Sequence, residues 1–179
     1  MTRAIFTIGH SARSLAHVTE MLLAAGADRV IDVRRFPRSR SNPQFNIETL
    51  PADLAAEGIS YEHWPDLGGR RPSQGGMDAA INGLWENRSF HAYADYALSA
   101  PFQQALAALI GLAETQTPAL MCSEAVWWRC HRRIIADHLL ARQIAVFHVM
   151  ETGKIVPASL TPGASVSRDL LVRYPRPGA

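Results

Sequence analysis

Short runs of apolar residues alternate with stretches of helical periodicity along the first 150 residues of this 179-residue chain. Such runs are typical of strands that are buried on both faces of a parallel sheet. The polar stretches at 34–46 and 66–76 are rich in Gly, Pro, Ser and Arg, which indicates loops. The predicted strands cover residues 4–8, 29–33, 60–64, 118–122 and 145–150.

The segments between these strands carry residues that begin or end helices. One helix is predicted between Ser14, a favourable N-cap, and Gly26, which suits the position after a helix end. Further helices are predicted at residues 49–57, in an interrupted stretch at 77–97, from Pro101 onward, and in a segment that ends near Arg142. The alternation predicts an α/β fold: a single-domain three-layer α/β/α sandwich with a mostly parallel, Rossmann-like central sheet.

A length of 179 residues suits one domain, and we expect residues 1–150 to form it. Four of the eleven prolines follow Glu151, and long apolar runs are rare there. Residues 151–179 are therefore predicted to add a C-terminal edge strand, with the sequence GKIV, and a loose tail.

The composition, 47% hydrophobic and 19% charged, is that of a globular protein. No apolar run approaches the length of a membrane span, and the N-terminal apolar run is too short for a secretory signal. The two cysteines are eight positions apart and do not form a disulfide framework. We therefore expect a cytoplasmic protein without a membrane partner.

The basic residues consist almost entirely of arginine. Of 18 Lys and Arg residues only Lys154 is a lysine, and the formal net charge is only +2. A GC-rich genome explains this bias, and so does recognition of phosphate or carboxylate, for which arginine is better suited than lysine. Five arginines fall within residues 29–40 and three within 129–133, which favours local recognition of an anion.

Polar residues collect directly after the predicted strands. Each has an ordinary explanation: His10 can bond within its loop, Asp32 can pair with Arg34, and two adjacent glycines can form a tight turn. Carboxyl ends of parallel strands meet at one edge of a sheet, however, and ligands bind at that edge. The sequence thus predicts one composite site, drawn from His10, Ser11, Asp32, Arg34, Gly68, Gly69, Cys122, Glu124, Arg129, His131 and Arg132.

The segment CSEAVWWRCHRR carries the strongest candidates for catalysis. Cys122 ends a predicted strand close to a helix start and to arginines, and both lower a thiol pKa and favour a nucleophile. Glu124 could act as general acid or base, and His10 or His131 could transfer protons near neutrality. The alternative is that Cys122 is a small buried hydrophobe. Cys130 falls in the predicted helix, which favours a structural role.

The arginines of this segment pose an electrostatic problem. Arg129, Arg132 and Arg133 are predicted to start a helix, where the macrodipole disfavours cations. Either internal carboxylates such as Glu124 and Asp32 compensate them, or a bound anion does so. The second possibility predicts that phosphate or a nucleotide binds beside the helix that starts near Arg129.

Established motifs for phosphate or metal binding are missing. Six residues separate Cys122 from Arg129, whereas the cysteine-phosphatase loop has five, and there is no Walker A or dinucleotide-binding motif. A zinc site could be built from Cys122, Cys130, His131 and His10, but the cysteine spacing does not match the usual knuckle. We therefore expect no cofactor and no metal.

The ordered motifs TIGHS, IDVRRFPRSR, NPQF, YEHWPDLGG, FHAYADY, LMCSE, CHRRIIADHL and VFHV resemble the domain-of-unknown-function family 488 over roughly residues 5–150. The resemblance implies an α/β fold and a shared polar site, and it implies no settled activity. It implies that Cys130 belongs to the site together with all the site residues named above except Arg129. IDVR and the cysteine at a strand end are more weakly similar to rhodanese-like domains, although Trp127 and Trp128 are bulky where that family needs a compact loop.

Our leading hypothesis is an enzyme that acts on a small anionic substrate, a nucleotide or a nucleic-acid component. Cys122 or Glu124 would do the chemistry, while Arg34, Arg132 and the backbone amides at Gly68 and Gly69 would hold the charge. Two alternatives remain. The loop at 34–40, with Phe36 and Phe45, could grip nucleic acid through phosphates and stacked bases, or the protein could be a rhodanese-like sulfurtransferase. The oligomeric state is not predicted.

Overall fold

In a computed structural model, which describes residues 2–178, a six-stranded sheet lies between two layers of helices. The strand order is β3-β2-β4-β1-β5-β6, and only β6 runs antiparallel to its neighbour. The strands are β1 (Ile5–Gly9), β2 (Arg29–Asp32), β3 (Ser60–His63), β4 (Pro118–Cys122), β5 (Val146–Glu151) and β6 (Lys154–Pro157). The five strands predicted from the sequence are therefore confirmed.

The helices are α1 (Leu15–Ala24), α2 (Leu50–Ala56), α3 (Arg88–Tyr96), α4 (Ala100–Leu112) and α5 (Arg132–Leu140). Leu22 of α1 and Leu54 of α2 pack on one face of the sheet, in a buried cluster with Ile8 and Val30. Helices α3, α4 and α5 cover the other face, in a second cluster that includes Leu120. Strands β1, β2, β4 and β5 send side chains to both clusters, so the predicted three-layer α/β/α sandwich is confirmed.

A topological switch point lies between β1 and β4, which are neighbours in the sheet. The chain leaves β1 through α1 on one face and leaves β4 through α5 on the other face. The two loops therefore part, and a crevice opens between them at the carboxyl edge of the sheet. Gly9 allows them to start close together, because a Cβ at this position would lie 1.8 Å from the Glu124 carbonyl oxygen.

Two predicted helices are shorter in the structure than the sequence suggests. In the stretch 77–97 only α3 is α-helical, and the residues before it form turns. Helix α5 begins at Arg132 rather than near Arg129, because Trp127–Arg129 form a 3₁₀ turn and Cys130 is extended, with φ −126° and ψ 148°. Arg129 is thus outside the helix, and Cys130 lies before it.

The C-terminal segment packs on the domain more firmly than a loose tail. The predicted edge strand GKIV corresponds to β6, and two short strands follow, β7 (Ser165–Val166) and β8 (Val172–Arg173). Tyr174 is fully buried, and its hydroxyl donates a hydrogen bond of 2.7 Å to Asp137 of α5. An aromatic anchor and a buried carboxylate therefore hold the chain at Tyr174 against α5. None of the helices in residues 2–178 has the length and apolar character needed to cross a membrane.

Candidate active site

A cavity of about 440 Å³ opens at the carboxyl edge of the sheet, at the switch point between β1 and β4. Its walls come from the loops after β1, β2, β3 and β4 and from the start of α3. Seven residues that the sequence assigns to the site line it: His10, Arg34, Gly69, Cys122, Glu124, Arg129 and His131.

Four other predicted site residues lie outside the cavity wall. Asp32 and Arg132 are fully buried behind it, where they bond to side chains that face the cavity. The Ser11 carbonyl accepts a hydrogen bond from the His10 ring, and Gly68 packs closely on the backbone of Pro65 and Arg35. These four residues position the wall rather than form it.

Asp32 and Arg34 form a closed, internally compensated pair. The Asp32 carboxylate accepts hydrogen bonds from Arg34 Nε at 2.9 Å and from the Tyr61 hydroxyl at 2.6 Å. Arg34 also donates to the carbonyl oxygen of Phe45 at 2.7 Å. Burial alone lowers the pKa of Arg34, but the Asp32 hydrogen bonds and charge more than offset it and raise the pKa. Asp32 does not line the cavity, and its oxygens accept hydrogen bonds from these donors, so its catalytic role stays a prediction.

His10 presents a neutral imidazole to the cavity. Its Nδ1–H donates to the Ser11 carbonyl at 2.8 Å, so Nε2 is an acceptor and faces an Arg34 amino group at 3.3 Å. Burial, followed by the charge of Arg34, lowers the pKa of His10 to about 4. The ring stacks on Phe45, with 4.1 Å between centroids. Because Phe45 is fully buried, it is not available to stack on a nucleic-acid base, as the sequence suggested.

The cysteine next to a positive charge is Cys130, not Cys122. Arg132 Nε donates to the Cys130 sulfur at 3.2 Å, and His131 Nδ1 lies 3.5 Å from the same sulfur. Burial alone raises the pKa of this thiol, but the Cys122 thiol and the Arg132 charge outweigh burial and lower the pKa to about 6. The Arg132 contact therefore favours the thiolate form of Cys130.

Cys122 is the less acidic of the two thiols. Its hydrogen bond with Cys130 and its burial raise its pKa. The strand end positions it as the sequence predicts, but the helix start and Arg132 act on Cys130 instead. The cation expected beside Cys122 therefore lies beside Cys130, because α5 begins only after Cys130.

His131 is oriented to accept a proton from Cys130. A backbone carbonyl can only accept, so the 2.8 Å bond between His131 Nε2 and the Val33 oxygen fixes the proton on Nε2. Nδ1 then carries the lone pair that faces Cys130. Gly69 packs against this ring, and a Cβ there would lie 2.8 Å from Nδ1. The need for glycine at this position is therefore steric.

Arginines dominate the charge around the cavity. Its wall contains Arg34, Arg35, Arg38, Arg70 and Arg129 but one carboxylate, Glu124. Arg34 is compensated by Asp32 and Arg38 by Glu48. Within residues 2–178, Arg35, Arg70 and Arg129 form no ion pair and are exposed. This unbalanced positive charge favours an anionic ligand.

Three potential metal ligands also meet in the wall. The sulfurs of Cys122 and Cys130 and the His131 ring nitrogen lie within 4.8 Å of one another. These are donors that suit zinc. The Arg132 guanidinium, however, already bonds to the Cys130 sulfur and would repel a divalent cation there.

Fold and site together define an α/β protein with a cavity at the switch point of its sheet, lined by two thiols, two imidazoles and several arginines. The chain belongs to a family described as "Domain of unknown function DUF488", whose model matches residues 14–139. His10 and Ser11 lie just before the matched region. No curated protein sequence and no solved structure matches the chain.

Sequence reasoning understated Cys130 and missed Arg70, and it assigned the loop with Arg35, Phe36 and Arg38 to nucleic-acid binding rather than to the wall of this cavity. A signal for Cys130 is present, because basic residues stand on both sides of it in RCHRR. The sequence predicts that this segment is helical, whereas in the structure the extended conformation at Cys130 brings Arg132 onto its sulfur.

Proposed function

We propose that the protein is an enzyme that acts on a small anionic substrate through the Cys130 thiolate. The observation that carries this proposal is the place of the Cys130 sulfur. It lies between Arg132 Nε and His131 Nδ1, in the wall of a cavity with uncompensated arginines at its mouth. Arginines attract the anion, and a nearby thiolate is a strong nucleophile at neutral pH.

The chemistry follows from the groups in the cavity wall. The Cys130 sulfur forms a bond to an electrophilic atom of the substrate, and the bond from that atom to the leaving group breaks. The leaving group departs with the electron pair and takes the proton that His131 accepted from Cys130. His131 then removes a proton from water, whose oxygen displaces sulfur and restores the thiolate.

A nucleotide or nucleic-acid component suits the cavity best among small anions. Phe36 is 64% exposed and Phe90 is half-buried, and both side chains line the cavity near arginines. Arginine contacts suit phosphate, and an exposed aromatic face suits a base. The reaction needs no metal in this proposal, and a cytoplasmic location is part of it, because a reduced thiol is required.

The experiment compares two alkylating agents at Cys130. Iodoacetate carries a carboxylate and iodoacetamide is its neutral analogue, so the ratio of their rates measures recruitment of an anion. We expect this ratio to exceed that of glutathione, and the iodoacetamide rate to rise with pH around pH 6, the pKa of Cys130. Millimolar adenosine monophosphate should slow both reactions more than inorganic phosphate does.

The double variant Arg35→Gln with Arg129→Gln tests the recruitment. It should lower the rate ratio about threefold to tenfold, because each exposed charge contributes up to about 1 kcal/mol. Arg168→Gln is the matched control: Arg168 is also exposed but does not line the cavity. A ratio equal to that of glutathione in the wild type would contradict the proposal.

One observation favours a second function, binding of single-stranded nucleic acid. Phe36 is exposed beside the Arg35 guanidinium, 5.6 Å from the ring centroid, and Arg38 lies in the same loop. In that case an oligonucleotide should bind with an affinity that falls steeply with salt. Phe36→Ala should weaken this binding, whereas alkylation of Cys130 by iodoacetamide should keep its rate.

A further inference from the structure

Two thiols of different acidity face each other in the wall of the cavity. Both are free in this structure, and their sulfurs lie within 4.8 Å of each other. We propose that Cys122 and Cys130 form a reversible intramolecular disulfide when a hydroperoxide enters the cavity, which makes the site redox-sensitive. This inference goes beyond the proposed activity and does not depend on it.

The local backbone allows the two sulfurs to approach. Cys122 ends β4, whereas Cys130 is an extended residue between a 3₁₀ turn and α5. Neither cysteine lies inside a helix, so rotation of its side chain disturbs no helical hydrogen bond. The segment between them is a turn-rich loop, which can take up the small movement that a covalent bond requires.

The charges assign different roles to the two thiols. Arg132 and His131 contact the Cys130 sulfur, so Cys130 is the thiolate that attacks first. Cys122 stays protonated at the end of β4 and acts as the resolving thiol. A low-pKa cysteine beside a resolving cysteine is the arrangement expected of a redox-sensitive pair.

The reaction balances with the hydroperoxide as the sole oxidant. The Cys130 sulfur attacks the outer oxygen, the O–O bond breaks, and the remaining alkoxide takes a proton from water, leaving a sulfenic acid. The Cys122 sulfur then attacks the Cys130 sulfur, and the hydroxide that leaves takes the Cys122 proton as water. The two thiols lose two electrons, which the hydroperoxide gains. A dithiol reductant reverses the step.

Arg132 makes the oxidised form the less favourable one. Its guanidinium contacts the Cys130 sulfur and the Glu124 carbonyl, and within residues 2–178 it forms no ion pair with a carboxylate. The disulfide would remove the negative charge from Cys130 and leave this buried cation without an anionic partner. We therefore expect a bond that is readily reduced, unlike a structural disulfide.

The test uses the reduced full-length protein, oxidised stepwise with hydrogen peroxide, then denatured and alkylated. Both alkylatable thiols should disappear together, with a mass loss of two hydrogen atoms, and dithiothreitol should restore them. Cys122→Ser should instead hold a sulfenic acid at Cys130 that dimedone traps. Cys130→Ser should leave Cys122 reduced at the same peroxide concentration.

Three results would overturn the inference. They are independent oxidation of the two thiols in the wild type, crosslinks between chains in place of the internal bond, or one zinc ion per chain that shields both thiols until it is chelated. This test and the alkylation test of the proposed function can be told apart by their results. If the protein forms the disulfide but does not prefer iodoacetate, only this inference holds. If it prefers iodoacetate but forms no disulfide, only the proposed enzyme function holds.

Discussion

Two buried arginines lie at the same cavity, Arg34 in its wall and Arg132 behind it, and their charges are balanced in different ways. Arg34 is paired with the Asp32 carboxylate, which also accepts a hydrogen bond from Tyr61. Arg132 has the Cys130 sulfur and one backbone carbonyl as its partners. Both guanidinium groups are more than nine-tenths buried, so burial does not distinguish the two regions.

The difference lies in the acid that balances each arginine. The Asp32 carboxylate is a permanent partner, and its bonds to Arg34 and Tyr61 make a rigid support for His10 and Phe45. A thiolate is a conditional partner, because it disappears when it is protonated, alkylated or oxidised. We infer that the Arg34 region holds the wall in place, while the Arg132 region is the part of the cavity that reacts.

The largest expected effect on stability comes from breaking the ion pair between Asp32 and Arg34. Asp32→Asn keeps the shape of the side chain but leaves the buried Arg34 cation without a counter-charge. We expect a loss of about 3–5 kcal/mol in the free energy of unfolding, measured by urea denaturation at pH 7. The double change Asp32→Asn with Arg34→Met should recover part of this loss. A loss below about 1 kcal/mol would show that water compensates Arg34, and the comparison would fail.

Breaking the contact between Arg132 and Cys130 should change the reactivity of the thiol more than the stability of the fold. Arg132→Met removes the cation from Cys130, so the pKa of the thiol should rise from about 6 toward its usual range. The thiolate fraction at pH 7, and with it the rate of alkylation by iodoacetamide, should fall about tenfold to a hundredfold. Stability should fall less than in Asp32→Asn, because a neutral thiol remains and no buried charge is stranded.

A pH profile of the alkylation rate checks this prediction. In the wild type the rate should rise through pH 6, and in Arg132→Met the same rise should occur at higher pH. Arg132→Lys keeps the positive charge without the planar donor group, so it should lie between the two. Identical profiles for the wild type and Arg132→Met would show that Arg132 does not control Cys130.

The comparison also shows which parts of the site the sequence could predict. The alternation of strands and helices fixes the carboxyl edge of the sheet, where His10 and Arg34 follow strands and Cys122 ends one by chain position alone. The order of the strands, with β4 between β1 and β2, comes from long-range pairing. The cavity follows from that order, which local patterns do not contain.

The choice between the two thiols was not predictable for a similar reason. It depends on where α5 begins, and helix ends are the least certain feature of a sequence pattern. A shift of the helix start by three residues, from Arg129 to Arg132, moves Cys130 out of the helix and under the Arg132 guanidinium. The sequence suggests that Asp32 can pair with Arg34. The hydrogen bond from the Tyr61 hydroxyl to Asp32, by contrast, depends on the pairing of β2 with β3.

A smaller effect is expected at the contact that holds His131 in place. Gly69→Ala puts a methyl group 2.8 Å from His131 Nδ1, so the ring must shift and its contact with Cys130 must change. We expect a loss of about 1–3 kcal/mol in the free energy of unfolding and slower alkylation of Cys130. Gly75→Ala is the control, because no atom lies within 4 Å of the added Cβ. Equal effects of the two changes would show that Gly69 is not needed for the position of His131.

The smallest effect is expected where an arginine is paired in solvent. Arg38 is paired with Glu48 at the cavity mouth, and their side chains are 71% and 50% exposed. Glu48→Gln should change the free energy of unfolding by less than about 1 kcal/mol, because water already solvates both charges. It frees Arg38, however, so the ratio of the iodoacetate rate to the iodoacetamide rate should rise, by about twofold to threefold at low salt. The rise should shrink at high ionic strength, since ions screen an exposed charge. A large loss of stability in Glu48→Gln would place this pair with Asp32 and Arg34, and charge compensation at the mouth would then be structural as well.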